Sequence, residues 1–186
     1  VAVGNEIAVQ DNDGGANVAI DNGIVDQTAE DSVQLAVAND SVSQDGEGNI
    51  NIAIDNGEAT QGGEGNINVS VGNDVVNQGG QDNRNLSVGD TESDTVNLDG
   101  SNNRIHTDTH DGDDTVNIGG NDNRGVVNTG SGDDTITTNG EDNRVRVDGG
   151  EGFDIIKLAG DAADWAVTTI RDGYQRAVNS QTGEIY

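Results

Sequence analysis

The sequence predicts an all-β chain wound as a parallel β-solenoid, two strands to a turn, with about nine rungs and a C-terminal hairpin-like cap. Identical residues recur at a fixed step. Asn22, Asn39, Asn56 and Asn73 lie seventeen residues apart, as do Gln27, Gln44, Gln61 and Gln78, and Asn49, Asn66 and Asn83. The step then becomes twenty, through Asp94, Asp114, Asp134 and Asp154, through Arg84, Arg104, Arg124 and Arg144, and through Asn83, Asn103, Asn123 and Asn143. Self-similarity of this length marks stacked units, each one rung. Between the repeated positions apolar residues alternate with period two, the pattern of a strand with one apolar face. Bulk for a globular core is missing: Phe153, Trp165, Tyr174 and Tyr186 are the only aromatics among 186 residues, and Met is absent. A thin core of Val, Ile, Leu and Ala suits a narrow coil in which each rung covers the next.

Residues 1–21 hold two irregular short repeats around Asn5 and Asn17, followed by Ile7 and Val9 and then by Val18 and Ile20. A terminal repeat that caps a stack is expected to be atypical. Residues 22–88 carry the seventeen-residue repeats. One strand per repeat contains Val33, Leu35 and Val37, then Ile50, Ile52 and Ile54, then Ile67, Val69 and Val71. Its other face carries Gln34 and Ala36, Asn51 and Ala53, and Asn68 and Ser70. A shorter strand contains Val25, Val42 and Val75/Val76, with Ala59 the weak member. Two strands of about five residues plus two tight turns add up to about seventeen, which favours a flattened two-strand coil.

Residues 89–158 carry the twenty-residue repeats. Here the residue after the repeated Asn changes from Ile50 and Ile67 to Arg, and apolar residues move one place along, as in Ile105, Val145 and Val147. A one-residue slip exchanges the faces of a strand, and a bulge at each Arg is the expected device. Residues 159–186 leave the repeat. With the sole Trp165 and turn signals at Asp172-Gly173 and Thr182-Gly183, they are expected to form a capping β-hairpin, with Tyr186 falling inside it.

Eight Lys and Arg against 35 Asp and Glu give a formal charge of −27. Phosphate binding needs a basic surface, so no nucleic-acid partner is expected. Such a charge opposes compaction, and low hydrophobicity with high charge is also the composition of disordered chains. Strict residue columns argue instead for bound cations that offset the repulsion, with extracellular calcium the expected one. The absence of Cys excludes disulfides, thiolate metal sites and a thiol nucleophile. No apolar run is long enough to span a bilayer, so no membrane insertion is expected. No signal peptide is visible, and a chain opening on Val1 is expected to be a processed or trimmed form.

The motifs that carry chemistry lie in the turns. Gly149-Gly150-Glu151-Gly152-Phe153-Asp154-Ile155-Ile156-Lys157 matches the nonapeptide GGxGxDxUx at every fixed position. Thr129-Gly130-Ser131-Gly132-Asp133-Asp134-Thr135-Ile136-Thr137 misses only the first Gly. His110-Asp111-Gly112-Asp113-Asp114 keeps the inner Gly and the Asp, and Asp90-Thr91-Glu92-Ser93-Asp94 keeps the Asp. Gly permits a tight turn that exposes carbonyl oxygens, and Asp is a hard anionic ligand. Calcium takes six to eight oxygens, which two stacked loops can share. Residues 109–170 thus resemble the hemolysin-type (RTX) calcium-binding repeats of secreted bacterial proteins, and Gly160-Asp161-Ala162-Ala163-Asp164-Trp165-Ala166-Val167 resembles the segment that follows the last such repeat. That resemblance implies a β-roll and Ca2+ as cofactor. The metal-ligating positions are then Asp94, Asp111, Gly112, Asp113, Asp114, Gly130, Gly132, Asp133, Asp134, Gly150, Gly152 and Asp154. The family repeats every nine residues with a calcium loop at both edges. Here the motif returns every twenty, so one edge matches, and roughly three ions in one row are expected, the Ser93 loop being weakest.

The first half has a second resemblance. Gln44 to Asn49, Gln61 to Asn66 and Gln78 to Asn83 read Gln-x-Gly-x-x-Asn, similar to the repeat of curlins, the subunits of bacterial amyloid fibres. The repeat is shorter than in that family, and Gln27 to Ser32 breaks it. Stacked amides hydrogen-bond along the stacking axis, or the Asn residues simply make turns; both imply stacking. The Arg column, with Asp82, Asp122 and Asp142 two positions upstream and Asn102 in the remaining repeat, reads as a structural charge ladder. Thr95, Thr115 and Thr135 form a short Thr column. Ice-binding solenoids use outward Thr ladders, but strand preference accounts for Thr here.

Catalysis is not expected. His106 and His110 are the only histidines, and no nucleophile elbow, zinc-ligand helix or phosphate loop occurs. The expected function is therefore that of an extracellular calcium-binding structural protein at a bacterial cell surface or matrix. It would serve as a subunit of a filament, biofilm matrix or adhesin, self-associating head-to-tail, with cell-surface or polysaccharide contact. The alternatives are a calcium-dependent C-terminal folding and export module of a larger secreted enzyme or toxin, and an ice-binding solenoid.

Overall fold

The computed structural model describes residues 1–171, 174–181 and 185–186. Two nine-stranded parallel sheets face each other. One holds the odd strands β1 (Ala2–Val3), β3 (Ala16–Ile20), β5 (Val33–Val37), β7 (Ile50–Ile54), β9 (Ile67–Val71), β11 (Arg84–Val88), β13 (Arg104–Asp108), β15 (Arg124–Asn128) and β17 (Arg144–Asp148). The other holds the even strands β2 (Ile7–Gln10), β4 (Ile24–Thr28), β6 (Ser41–Asp45), β8 (Glu58–Gln61), β10 (Val75–Gln78), β12 (Thr95–Leu98), β14 (Thr115–Ile118), β16 (Thr135–Thr138) and β18 (Ile155–Lys157). Each rung is one odd and one even strand, so the all-β solenoid of about nine turns read from the sequence is the fold. The 17-residue and 20-residue blocks join without a seam, since β9 pairs with β11 and β10 with β12.

The junction corrects one expectation. Arg84 pairs with Ile67 on one side and Arg104 on the other, and Asn85 pairs with both Asn68 and Ile105. The register is unbroken through Arg124 and Arg144, so no bulge accompanies the Arg residues. What changes is the chemistry of the inward column.

In the first half the odd strands are inverted relative to the usual rule. Val33, Ile50 and Ile67 point outward and are 41%, 39% and 40% exposed, while Gln34, Asn51, Asn68 and the small Ala36, Ala53 and Ser70 are buried inside. Facing them from the even sheet stand Val25, Val42, Ala59 and Val76 and the column Gln27, Gln44, Gln61 and Gln78, all buried. Buried amides are tolerable only if paired. Here the Nε2 of Gln44, Gln61 and Gln78 donates to the Oε1 of the Gln one rung earlier at 2.9 Å. Each also donates across the core to the carbonyl of Ile52, Val69 or Leu86. Asn51 and Asn68 form a second ladder ending on Asn85. In the second half most inward positions turn aliphatic, with Thr107, Gly125 and Thr138 the exceptions on the strands: Val96, Leu98, Val116, Ile118, Ile136, Ile105, Val127 and Val145 form one cluster. The thin Val, Ile, Leu and Ala core expected from composition holds there, whereas Gln and Asn carry much of the first half.

The turns are stitched by Asn. On one margin the backbone N–H groups of Asn49, Asn66, Asn83, Asn103 and Asn123 each donate to the Oδ1 of the Asn in the next rung, across both blocks. Asp82, Asn102, Asp122 and Asp142 precede this column with φ of 56–58°. Asp and Asn tolerate that left-handed backbone better than other non-glycine residues, which explains why they alternate there. Arg84, Arg104, Arg124 and Arg144 make no ion pair within 4 Å among the described residues; the expected Arg–Asp ladder is a series of turn residues beside unpaired guanidiniums.

Beyond the rungs, β19 (Trp165–Arg171) and β20 (Tyr174–Asn179) form the antiparallel cap; its turn signals at Asp172-Gly173 and Thr182-Gly183 lie outside the described residues. The Ile185 N–H donates to Asn143 O and the Val145 N–H to Ile185 O, so the tail extends the odd sheet past β17. Tyr186 packs on the aliphatic core and against Trp165. Replacing Gln44 by Ala should remove two ladder bonds and open a cavity, costing about 2–4 kcal/mol. Urea denaturation followed by circular dichroism checks this, and Ser43→Ala on the same strand should stay within about 0.5 kcal/mol.

Candidate metal centre

The second margin, where odd strands hand over to even ones, changes its stitching residue halfway along the rod. In the first half it uses neutral amides. The N–H groups of Asn5, Asn22, Asn39 and Asn56 donate to the Oδ1 of Asn22, Asn39, Asn56 and Asn73. The side-chain Nδ2 groups of Asn22, Asn39 and Asn56 donate to the same acceptors. An Asn column therefore satisfies both of its polar ends.

In the second half carboxylates do this work. The Asp94 N–H donates to Asp114 Oδ1 and the Asp114 N–H to Asp134 Oδ1, both at 2.8 Å, and the Asp134 N–H to Asp154 Oδ1 at 3.2 Å. Asp94, Asp114 and Asp134 are buried. An ionised carboxylate has no donor to pass on, so the column cannot close as an amide column does. Asp114 Oδ2 and Asp134 Oδ2 are left buried without a hydrogen-bond partner. The Thr109 hydroxyl lies beside Asp114, but its one proton goes to Thr129 O at 3.1 Å. Burial, and then the charges of Asp114, Asp90 and Asp74, push the Asp94 carboxyl up to about 6 against the N–H bond from Asp90. Burial likewise raises Asp114, with Asp134 and Asp113 adding to it.

The structure thus brings Asp94, Asp114, Asp134 and Asp154 into one row. The other expected ligands are placed differently. Asp113 Oδ1 accepts the Asp133 N–H at 2.9 Å, Asp133 Oδ1 accepts the Phe153 N–H at 2.8 Å, and Asp111 Oδ1 accepts the Ser131 hydroxyl at 2.8 Å. These three exposed carboxylates therefore cap neighbouring rungs. Gly112, Gly130, Gly132, Gly150 and Gly152 all have positive φ. A Cβ at Gly132 would overlap Gly112 O, and one at Gly152 would overlap Gly132 O, so the stacked turn itself requires the glycines of the motif.

Sequence reasoning missed the column that faces the acidic row. A Cβ at Gly89 or Gly149 would run into the Oδ2 of Asp94 or Asp154. The equivalent positions in the middle rungs are Thr109 and Thr129, both buried, with hydroxyls donating to Thr129 O and Gly149 O. The missing first Gly of the Thr129 motif was the visible signal. No group of three or more His, Asp or Glu side chains converges among the described residues. A hard cation held at this margin would find the partnerless Oδ2 atoms of Asp114 and Asp134 together with backbone carbonyls of the loops. That chemistry suits calcium, which is content with carbonyl oxygens.

No protein-family model matches the chain, and no curated protein shows significant similarity to it. The likenesses to RTX and curlin repeats rest on the residues themselves.

Two outcomes follow for the metal-free protein. A carboxyl whose folded pKa is raised holds its proton more tightly when folded, so stability is lost as pH rises from about 4 to about 6 and stays low above. Melting temperature in chelator should accordingly fall over that window. Asp114→Asn, which restores an amide in the row, should stabilise the metal-free protein at neutral pH by about 1–3 kcal/mol, as read by thermal or urea denaturation.

Proposed function

We propose that this chain is an extracellular calcium-binding structural protein, a solenoid building block of a filament, biofilm matrix or adhesin at a bacterial surface. The observation that carries this reading is the switch of one margin from a self-satisfied Asn row to an Asp row with buried, partnerless oxygens. On a chain of charge −27, a buried like-charged row stands in need of cations, and any ion that binds only the folded state stabilises it by mass action. Calcium would sit along the second-half margin, held by Asp94, Asp114, Asp134 and Asp154 and by loop carbonyls. The ion's contribution is charge neutralisation and locking of adjacent rungs; the rod itself provides surface and length.

Head-to-tail contact is part of the proposal, and it would run through the even sheet. Its last strand, β18, exposes Ile155 and Ile156, while the odd sheet is continued by Ile185. The outer surface of the even sheet, with Thr95, Thr115 and Thr135 in register and an Asn ladder through Asn77, Asn97 and Asn117, offers polar groups for polysaccharide. The confinement of the acidic row to the C-terminal half favours a second reading, a calcium-dependent folding and export module of a larger secreted protein.

Calcium should raise the melting temperature and chelator should lower β content in circular dichroism. Asp134→Asn should keep the metal-free fold and lose most of the calcium-induced rise in melting temperature. An identical melting curve with millimolar calcium and with chelator would sink the calcium reading.

A further inference from the structure

The outward face of the odd sheet has a composition that solvent does not explain. From β3 to β11 its three outward columns, headed by Ala16, Val18 and Ile20, are built of Val, Ile, Leu and that one Ala, and Arg84 is the sole ionisable residue among them. Five strands of this kind cover about 24 Å by 17 Å, or roughly 400 Å2, the size of the largest apolar patch on a typical monomer, which is often functional. The even sheet presents Asp26, Asp45 and Glu58 at comparable rungs. On a molecule of charge −27, the odd face is the surface of the first half that a like-charged body can approach with the least local repulsion.

The second half of the same face supplies a pattern. From β13 to β17 the first outward column is Arg104, Arg124 and Arg144, and the third is Asp108, Asn128 and Asp148. A two-fold axis parallel to the rod, lying between two such faces, sets the first column of one copy against the third column of the other. The central column then meets itself. Arg104 and Arg144 oppose Asp108 and Asp148, while the aliphatic columns oppose one another. The guanidiniums of Arg104, Arg124 and Arg144 make no ion pair within 4 Å among the described residues, so they are available to a partner. Arg146, which meets its own copy, lies 3.5 Å from Asp148 and is offset by it.

We propose that two copies of this chain pair side by side and parallel, through the outward faces of their odd sheets, as a sheet-on-sheet sandwich. Such faces pack at about 10 Å with nearly aligned strands, and a two-fold interface uses one patch twice. Eight strands, β3 to β17, give a face of about 38 Å by 17 Å, or roughly 1,300 Å2 over both copies, within the range of stable pairs. The aliphatic rungs supply the apolar burial and the Arg–Asp rungs fix the direction. The pairing uses none of Asp94, Asp114, Asp134 and Asp154, although Asp108 and Asp148 border that margin and Asp108 lies 3.4 Å from His110, so sedimentation with and without chelator reads it separately from calcium.

Sedimentation of the full chain at physiological salt tests it. The wild type should be a dimer, and Ile52→Lys, which sets like charges against each other on the axis at an outward position, should be monomeric with an unchanged circular dichroism spectrum. Arg104→Asp should weaken the dimer at least tenfold, and adding Asp108→Arg should restore it. The chain has no Cys, so single cysteines report geometry through a short bis-maleimide. Leu35→Cys, Ile52→Cys and Val69→Cys should each link to their own copy, while Asn97→Cys on the even sheet should not. A wild type that stays monomeric at all concentrations, a dimer that survives Ile52→Lys, or linkage at only one of the three rungs (the mark of antiparallel pairing) overturns the proposal.

Discussion

Parallel in-register stacking places every side chain directly over its own equivalent one rung away, and all else in this molecule answers to that. A residue type is admissible at a column only if it is compatible with a copy of itself at the strand spacing of about 4.8 Å. Amides meet the condition, because each carries a donor and an acceptor and can hand one bond along the row. Aliphatic side chains meet it by contact alone. Carboxylates meet it only in part: one oxygen accepts the backbone N–H of the neighbouring rung, the other has no side-chain donor to accept from, and like charges at that spacing repel. The Gln27 to Gln78 ladder, the Leu98–Ile118 stack and the Asp94 to Asp154 row are three responses to one rule, and the last leaves Asp114 Oδ2 and Asp134 Oδ2 without a partner.

The two halves therefore differ in where their stability comes from. In the first, buried Gln and Asn form a hydrogen-bonded interior of high specificity, since a slip of β7 on β9 by one residue would bring Ile or Val against Asn and break the Asn51–Asn68 bond. In the second, burial of Val, Leu and Ile carries the core at about 1.5–3 kcal/mol for each fully buried side chain. The polarity reversal on the odd sheet follows directly: with amides inside, the strand's alternate residues, Val and Ile, are left facing out.

Much of this was legible in the sequence. The step of the Asn, Gln, Arg and Asp columns gave the rung length, the rung count and the parallel stacking, and period two gave the strands. Which face lay inside was not legible, because alternation distinguishes two faces without assigning them, and the rule that the apolar one is buried failed at Val33, Ile50 and Ile67. The inferred bulge at each Arg followed from the same assumption; once the interior of β9 is taken as Asn68, Arg84 simply follows Ile67 in register. At the margin, the acidic row was visible as a motif. The roles of Asp111, Asp113 and Asp133 were not, since their bonds run to neighbouring rungs rather than within a loop. Nor was the place of Thr109 and Thr129, whose importance depends on which residues the turn sets opposite them.

The seam between the two blocks has a consequence for how such a chain can vary. Strands β9 and β11 pair without distortion although one lies in a rung of seventeen residues and the other leads into one of twenty. The extra residues are absorbed outside the strands, so neither sheet registers the difference. Duplication or loss of a whole unit in the gene would then add or remove a length of rod while leaving every other contact as it was. Reach from end to end becomes a quantity that heredity can adjust in steps.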